Sequence, residues 1–137
     1  MPTETLWVYP PNWNGYLTDH DGWKRIVLNI IFKHIGDNEV RAKVLDISSL
    51  QCTSGKTPIR TVIEKIMWDV HGSGYARLEW DRAGYPMIKE MSGQSDIDLM
   101  RSGGMADPGS SGDRTGDILI SADASYDITI QVRLKDK

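Results

Sequence analysis

The segment YDITIQVRLK, Tyr126–Lys135, alternates apolar and polar side chains without a break over its ten positions. Its apolar members are Tyr126, Ile128, Ile130, Val132 and Leu134. Successive side chains of a β-strand point to opposite faces, so this pattern predicts a strand with one buried face and one face in water. The sequence therefore predicts a β protein with a core strand close to its C-terminal end.

The residues before this strand predict its partner. The segment GDILIS is apolar enough for a second strand over Asp117–Ser121, and SADAS between the two segments is short and polar. Two strands joined by a short polar loop are typical of a β-hairpin. We therefore predict a terminal hairpin of Asp117–Ser121 with Tyr126–Lys135.

A second hairpin is predicted in the middle of the chain. HGSG, residues 71–74, tolerates the positive φ angles of a tight turn, and the residues after it alternate through Trp80. The arm before the turn also fits a helical stripe, with Thr57 as cap and Pro58 in the first turn. A strand from Val62 onward is favoured because β-branched residues dominate there. DRAG, residues 81–84, predicts the next turn.

A third hairpin is predicted from WKRIVLNIIFKH, residues 23–34, the turn IGDNE, and the strand VRAKVLDI, residues 40–47. In that last strand Val40, Ala42 and Val44 are expected on one face. Several short strands joined by turns predict an all-β fold, an antiparallel β-sandwich of jelly-roll or immunoglobulin-like type. Long Gly-rich loops belong to this prediction, since Ser102–Gly116 contains five glycines and one proline.

Length and charge restrict the class of protein. With 137 residues and a net charge of −3, the chain is predicted to be a single domain, residues 1–137, with residues 1–22 as an extended N-terminal arm. No basic excess indicates a nucleic-acid partner. The apolar run Ile26–Ile31 is too short to span a bilayer, and no signal-peptide pattern opens the sequence, so no membrane partner is expected.

Reactive groups are few and scattered. Cys52 is the single cysteine, which predicts a small buried side chain rather than a catalytic thiol. Gly55–Thr57 ends like a phosphate-binding loop, but Leu50 stands where that loop needs glycine. The sequence therefore predicts no enzyme activity, no catalytic residue and no cofactor.

No metal site is predicted either. His20, His34 and His71 are well separated and lack the spacing of a local metal site. The carboxylates of the long loop, Asp107, Asp113 and Asp117, do not follow the regular twelve-residue calcium pattern. We expect that loop to be a solvated connection.

The aromatic residues near the N-terminus form the candidate interface. Trp7, Tyr9, Trp13 and Tyr16 crowd a short segment that also contains two prolines, which favour extended backbone. One interpretation is an edge strand and strap packed on the chain's own sandwich. The functional interpretation is an arm that docks on a neighbouring subunit, because Trp and Tyr are enriched at interfaces. A sugar-stacking platform is the third.

Residues 61–137 contain a strand ending in LEWD, Leu78–Asp81, a Gly-rich linker ending in TGD, Thr115–Asp117, and a closing YDIT strand, Tyr126–Thr129. With these three motifs, residues 61–137 resemble small virion structural proteins of tailed bacteriophages. The resemblance implies a non-enzymatic component of the virion, made in the host cytoplasm, with the major capsid protein or other virion proteins as partners.

The resemblance leaves the position in the particle open. Capsid decoration or cementing is the first expectation, and a neck, tail or head–tail connector subunit is the second. A homo-oligomer is expected, because an oligomeric subunit on a symmetric particle reinforces weak contacts, the later ones becoming intramolecular. A carbohydrate-binding module remains the alternative from another class of function.

Overall fold

Ten β-strands divide between two antiparallel sheets in the computed structural model, which describes residues 4–8, 26–35, 38–47, 60–109 and 115–135. In chain order the strands are β1 Glu4–Val8, β2 Ile26–His34, β3 Glu39–Leu45, β4 Arg60–Val70, β5 Ala76–Trp80, β6 Met87–Met91, β7 Gln94–Asp98, β8 Met105–Ala106, β9 Ile118–Ala122 and β10 Tyr126–Lys135. A short 3₁₀ turn, Met100–Ser102, separates β7 from β8. Among the described residues there is no helix of the length and apolar character needed to cross a membrane.

The strand order identifies the sandwich as a jelly roll. The first sheet has the order β1-β2-β10-β4-β7, with β8 also paired to β4, and the second sheet has the order β3-β9-β5-β6. The antiparallel pairs are nested: β5 with β6, β4 with β7 and β8, β3 with β9, and β2 with β10. The chain is thus one long ribbon folded back on itself and wrapped into two layers, which is the jelly-roll alternative of the predicted sandwich.

The three predicted hairpins are wrong as pairs, although their strands exist. In each case the first strand and the second strand lie in different sheets: β9 and β10, β4 and β5, and β2 and β3. The connections therefore cross between the layers as arches. Alternation shows that one face of a strand is buried, but a strand in either sheet of a sandwich buries one face, so alternation does not select the hydrogen-bonded neighbour.

Other local predictions are confirmed. The arm before HGSG is the strand β4, not a helix. The DRAG turn joins β5 to β6 as a true hairpin, with the Trp80 N–H donating to the Pro86 carbonyl at 2.9 Å and the Tyr85 N–H donating to the Arg82 carbonyl at 2.9 Å.

The facing of β3 differs from the prediction. Val44 is buried, but Val40 is 78 % exposed. The register with β9 shifts between Glu39 and Ala42, where Arg41 has a φ of 45°. A bulge inserts extra residues into one strand, and it therefore breaks the period of two on which the prediction rested.

The hydrophobic core lies between the two sheets, and β10 is central to it. This strand pairs with β2 on one side and with β4 on the other. The five apolar side chains predicted to face inward, Tyr126, Ile128, Ile130, Val132 and Leu134, are all buried. Residues from the second sheet meet them, among them Leu78, Trp80 and Ile120.

The two ends of the sandwich differ in their connections. The arch end, as we name it, carries residues 35, 38, 71–75, 92–93 and 123–125 of the connections between strands. The loop end carries the β5–β6 turn at residues 81–86 together with residues 99–109 and 115–117. Polar side chains gather at both ends, and each end is a candidate for function.

Candidate functional site

The sequence-predicted interface residues fall mostly outside the described residues. Trp7 lies in β1, opposite Ile30 of β2 at the edge of the first sheet. Tyr9, Trp13 and Tyr16 lie outside the described ranges. So do four other sites considered above: His20, Cys52, Gly55–Thr57 and Asp113.

The described carboxylates of the long loop fasten the loop end. Asp107 is buried and accepts a bifurcated hydrogen bond from the single Nε–H of Arg82, with Nε 2.8 and 3.0 Å from its two oxygens. It also accepts the Gly109 N–H at 2.9 Å. Both oxygens of Asp107 are therefore engaged by donors of the protein itself.

Asp117 links three segments of the chain at the same end. Its Oδ1 accepts the Ile47 N–H at 2.9 Å, and its Oδ2 lies 3.4 Å from Lys43 Nζ. Lys43 Nζ also lies 3.1 Å from Asp81 Oδ2, so that one ammonium bridges two carboxylates. Burial raises the pKa of Asp117. The hydrogen bond to Asp81 is the main cause that raises the pKa of Lys43.

The LEWD and TGD motifs are thus neighbours in space. Besides the shared lysine, the Asp81 N–H donates to the Asp117 carbonyl at 3.0 Å. The Thr115 hydroxyl donates to the Asp81 carbonyl at 2.7 Å. Two of the three motifs that carry the resemblance therefore meet in one set of ties at the loop end.

The third motif begins in a buried polar network at the arch end. His34 Nδ1 lies 3.3 Å from Glu39 Oε2, and the Tyr126 hydroxyl donates to Glu39 Oε1. The rings of His34 and Tyr126 stack with centroids 5.5 Å apart. All three residues are buried. This network joins β2, β3 and β10 across the two sheets, and it lies inside the core rather than on a surface.

A second set of titratable residues lies on the outer face of the first sheet at the arch end. Asp69 of β4 and Asp127 of β10 are directly opposite each other in the strand register. His71, two residues after Asp69, places Nε2 3.2 Å from Asp127 Oδ2. One potential ligand atom from each of these three residues lies within 4.8 Å of the other two. We call Asp69, His71 and Asp127 the arch-end cluster.

A shallow groove of about 330 Å³ begins at this cluster and follows the outer face of the first sheet. Its lining includes apolar side chains such as Ile31 and Met67, and its polar wall includes Asp96 of β7 with the two cluster aspartates. The groove is open to solvent, so the cluster is reachable from outside. Lys33 lies beside the cluster, with Nζ 3.9 Å from Asp127 Oδ1.

The arch-end cluster was not predicted from the sequence, because neither the spacing of the histidines alone nor that of the loop carboxylates alone reveals a mixed site. One signal was present: Asp69-Val70-His71 is an Asp-x-His pair, and residues two apart in a strand share a face. The third member, Asp127, depends on the register of β10 against β4. No local pattern gives that register.

Comparison with known proteins gives no relative: no family model, no curated protein and no solved structure matches the chain.

Proposed function

We propose that this protein is a non-enzymatic structural component of a tailed-phage virion that decorates or cements the capsid through protein–protein contacts. The observation that supports this proposal is the set of contacts that the three resemblance motifs make. LEWD and TGD meet through Lys43 and the Asp81–Asp117 backbone bond, and YDIT supplies Tyr126 to the buried network. These residues hold loops and sheets together, as expected for a shared building block.

The arch end offers a surface for such contacts. Ile35 and Val40 flank the β2–β3 arch and are 86 % and 78 % exposed. Single exposed apolar residues are common, but these two bracket one short connection at the end of the sandwich. Removing β-branched side chains from water is favourable without demanding a specific polar partner. We infer that this arch contacts the major capsid protein or a neighbouring copy of the chain.

The N-terminal aromatics belong to the same proposal. The segment Leu6–Tyr16 starts in β1, at the edge of the first sheet. An edge strand presents unpaired backbone groups, which natural proteins cover or use for association. We propose that Trp7, Tyr9, Trp13 and Tyr16 contribute contacts to other virion proteins or within a homo-oligomer.

The direct test is the protein composition of purified particles of the phage that encodes this chain. Mass spectrometry should find the chain at a fixed copy number per particle. Recombinant protein should also co-sediment with particles that lack it. Absence of the chain from washed, purified particles would refute the proposal.

A pair of surface variants tests the contact surface. Ile35→Asp combined with Val40→Asp should weaken co-sedimentation at least tenfold without lowering the melting temperature, because both side chains are exposed. Met87→Asp is the matched control, since Met87 is 58 % exposed at the start of β6. Equal binding by both variants would remove the arch from the interface.

A neck, tail or head–tail connector position is the alternative within the same class, and the measured copy number distinguishes it from decoration.

The carbohydrate-binding alternative predicts accessible aromatic faces. Tyr85 is a partly exposed aromatic, but the Arg41 guanidinium lies 3.8 Å from its ring centroid and covers one face. Binding to a panel of soluble glycans would favour that alternative.

A further inference from the structure

We propose that the arch-end cluster, Asp69, His71 and Asp127, binds a divalent first-row transition ion, with Zn²⁺ as the best fit. The proposal does not depend on the proposed virion contacts, although both lie at the arch end. It also replaces the sequence-based expectation that no metal is bound. Five observations carry it: the register, the backbone that holds it, the local charge, the spacing of the donor atoms and the access from solvent.

Two of the three side chains are placed by regular structure, and the third follows directly after β4, which ends at Val70. Asp69 and Asp127 are register partners in the β4–β10 ladder, and Val70 is paired with Tyr126 beside them. The His71 N–H donates to the Ser125 carbonyl at 2.9 Å, which extends the hydrogen bonding between the two chain segments past the last strand pair. Ligands held by two adjacent strands need little reorganisation when an ion binds, and such preorganisation favours binding.

The local charge is poorly balanced without a cation. Like charges directly opposite on neighbouring antiparallel strands destabilise a sheet. Asp127 has two neighbours of opposite or potentially opposite charge, Lys33 at 3.9 Å and His71 at 3.2 Å. Within the described residues, no hydrogen bond or ion pair holds the Asp69 carboxylate. An ion between the two carboxylates would relieve their repulsion and engage Asp69.

The spacing of the donor atoms suits a small ion. In tetrahedral coordination with bonds of about 2.0–2.1 Å, ligand atoms lie about 3.3 Å apart. His71 Nε2 and Asp127 Oδ2 already have this separation, at 3.2 Å. The remaining pairs are no more than 4.8 Å apart, and rotation of the Asp69 side chain can close that difference.

The donor set selects the class of ion. Carboxylates alone suit Mg²⁺ or Ca²⁺, whereas an imidazole favours zinc, nickel or copper. Three protein ligands leave a coordination position for water, as in open zinc sites. The groove beside the cluster, about 330 Å³ in volume, has room for that water and gives the ion a path from solvent.

Isothermal titration with ZnCl₂, on untagged protein first stripped with a chelator, tests the proposal. We expect one saturable site in the wild-type protein and a rise in melting temperature on adding Zn²⁺. Asp69→Asn should weaken Zn²⁺ binding at least tenfold, and His71→Gln should remove saturable binding. MgCl₂ should give no comparable shift, because the imidazole contributes little to a hard cation.

Two controls keep the outcome clear. Glu90→Gln removes an exposed carboxylate that pairs with Arg77 on the second sheet, and it should leave Zn²⁺ binding unchanged. Melting in chelator shows that each variant is folded, and Asp69→Asn should melt at the same temperature as the wild type or higher, since it removes the repulsion. Absence of saturable Zn²⁺ binding in the wild type, or equal binding by Asp69→Asn and the wild type, would overturn the proposal.

Discussion

At the scale of single residues, Glu64 is a buried polar residue on the outer face of the first sheet. Its carboxylate accepts hydrogen bonds from Gln131 at 3.1 Å and from Arg133 at 3.2 Å. The register of β10 against β4 skips Glu64, because Gln131 pairs with Lys65 and Val132 pairs with Ile63. This bulge leaves Glu64 on the outer face. There the Leu99 N–H donates to the Glu64 carbonyl, and the Arg133 guanidinium donates to the Gly103 carbonyl.

Truncation of Glu64 should therefore be costly. Glu64→Ala leaves the largely buried Arg133 charge without this carboxylate, and breaking a buried pair lowers the free energy of unfolding by about 3 kcal/mol. Glu90→Ala, in an exposed pair with Arg77, should lower it by less than about 1 kcal/mol. Urea unfolding of both variants measures the contrast. Equal losses in the free energy of unfolding would mean that Glu64 does not stabilise the fold through a buried ion pair.

Asp117 predicts a dependence on pH. Burial raises its pKa above the ordinary value of 3.8, against the opposing hydrogen bond from the Ile47 N–H. The folded chain then keeps this proton to higher pH than the unfolded chain, so it binds more protons across that window. The contribution of Asp117 to the free energy of unfolding must therefore fall as the pH rises from 3.8 through the raised pKa.

The comparison with Asp117→Asn isolates this effect, since the asparagine oxygen can still accept the Ile47 N–H. We expect the free energy of unfolding of the wild type, minus that of the variant, to decrease as the pH rises from 3.8 toward neutrality. Lys43 stays charged throughout, because its pKa is raised above 10.5. Urea unfolding at a series of pH values measures the slope, and a difference that increases with pH would contradict the assignment.

At the scale of elements, the β4–β5 arch and the β9–β10 arch are packed against each other. The Tyr75 N–H donates to Asp123 Oδ1 at 2.7 Å, and the Asp123 N–H donates to the Tyr75 carbonyl at 3.2 Å. A Cβ atom on Gly74 would lie 2.3 Å from the Ala124 Cβ. Glycine is required at this position because the two arches approach too closely for a side chain.

Gly74→Ala should force the two arches apart. We expect a loss of about 1–3 kcal/mol in the free energy of unfolding, as for other overpacked positions. Ser73→Ala, at the exposed neighbouring position of the same arch, should change it by less than about 0.5 kcal/mol. Thermal or urea unfolding of the two variants decides, and an unperturbed Gly74→Ala protein would show that the arches are not in tight contact.

Deletion of the N-terminal segment tests whether it is a strap packed on the chain's own sandwich or an arm that docks on a partner. Deleting residues 2–16 removes the five β1–β2 pairs but leaves β2 paired with β10. At about 0.2–1 kcal/mol for each of the five cross-strand pairs, we expect a folded protein that is less stable by about 1–5 kcal/mol. Its binding to particles should weaken if the aromatics dock on a partner.

A second variant separates loss of the strand from loss of the aromatics. Trp13→Ala combined with Tyr16→Ala leaves β1 intact and should weaken co-sedimentation with little change in melting temperature. If this double variant binds particles at full strength, Trp13 and Tyr16 do not form the interface.

At the scale of the whole molecule, the sequence predicts which face of a strand is buried better than it predicts which strands pair. The alternation of β10 correctly indicates its buried face, since facing depends only on the period of a strand. The pairing of β10 with β2 and β4 depends on wrapping the nested ribbon, which is a property of the entire chain. For the same reason Asp127 could not be assigned to Asp69 and His71 before the register was known.

The central position of β10 also has a consequence for synthesis. Every other strand within the described residues leaves the ribosome before β10, yet the first sheet is divided until β10 lies between β2 and β4. A nascent chain that has emerged only through residue 122 should remain sensitive to protease, and one that has emerged through residue 135 should become resistant. Limited proteolysis of arrested nascent chains measures this step. Resistance of the shorter chain would show that the two parts of the sheet fold without their shared strand. Sensitivity of the shorter chain would show that the domain stays unfolded, exposed or bound to a chaperone, until β10 has emerged.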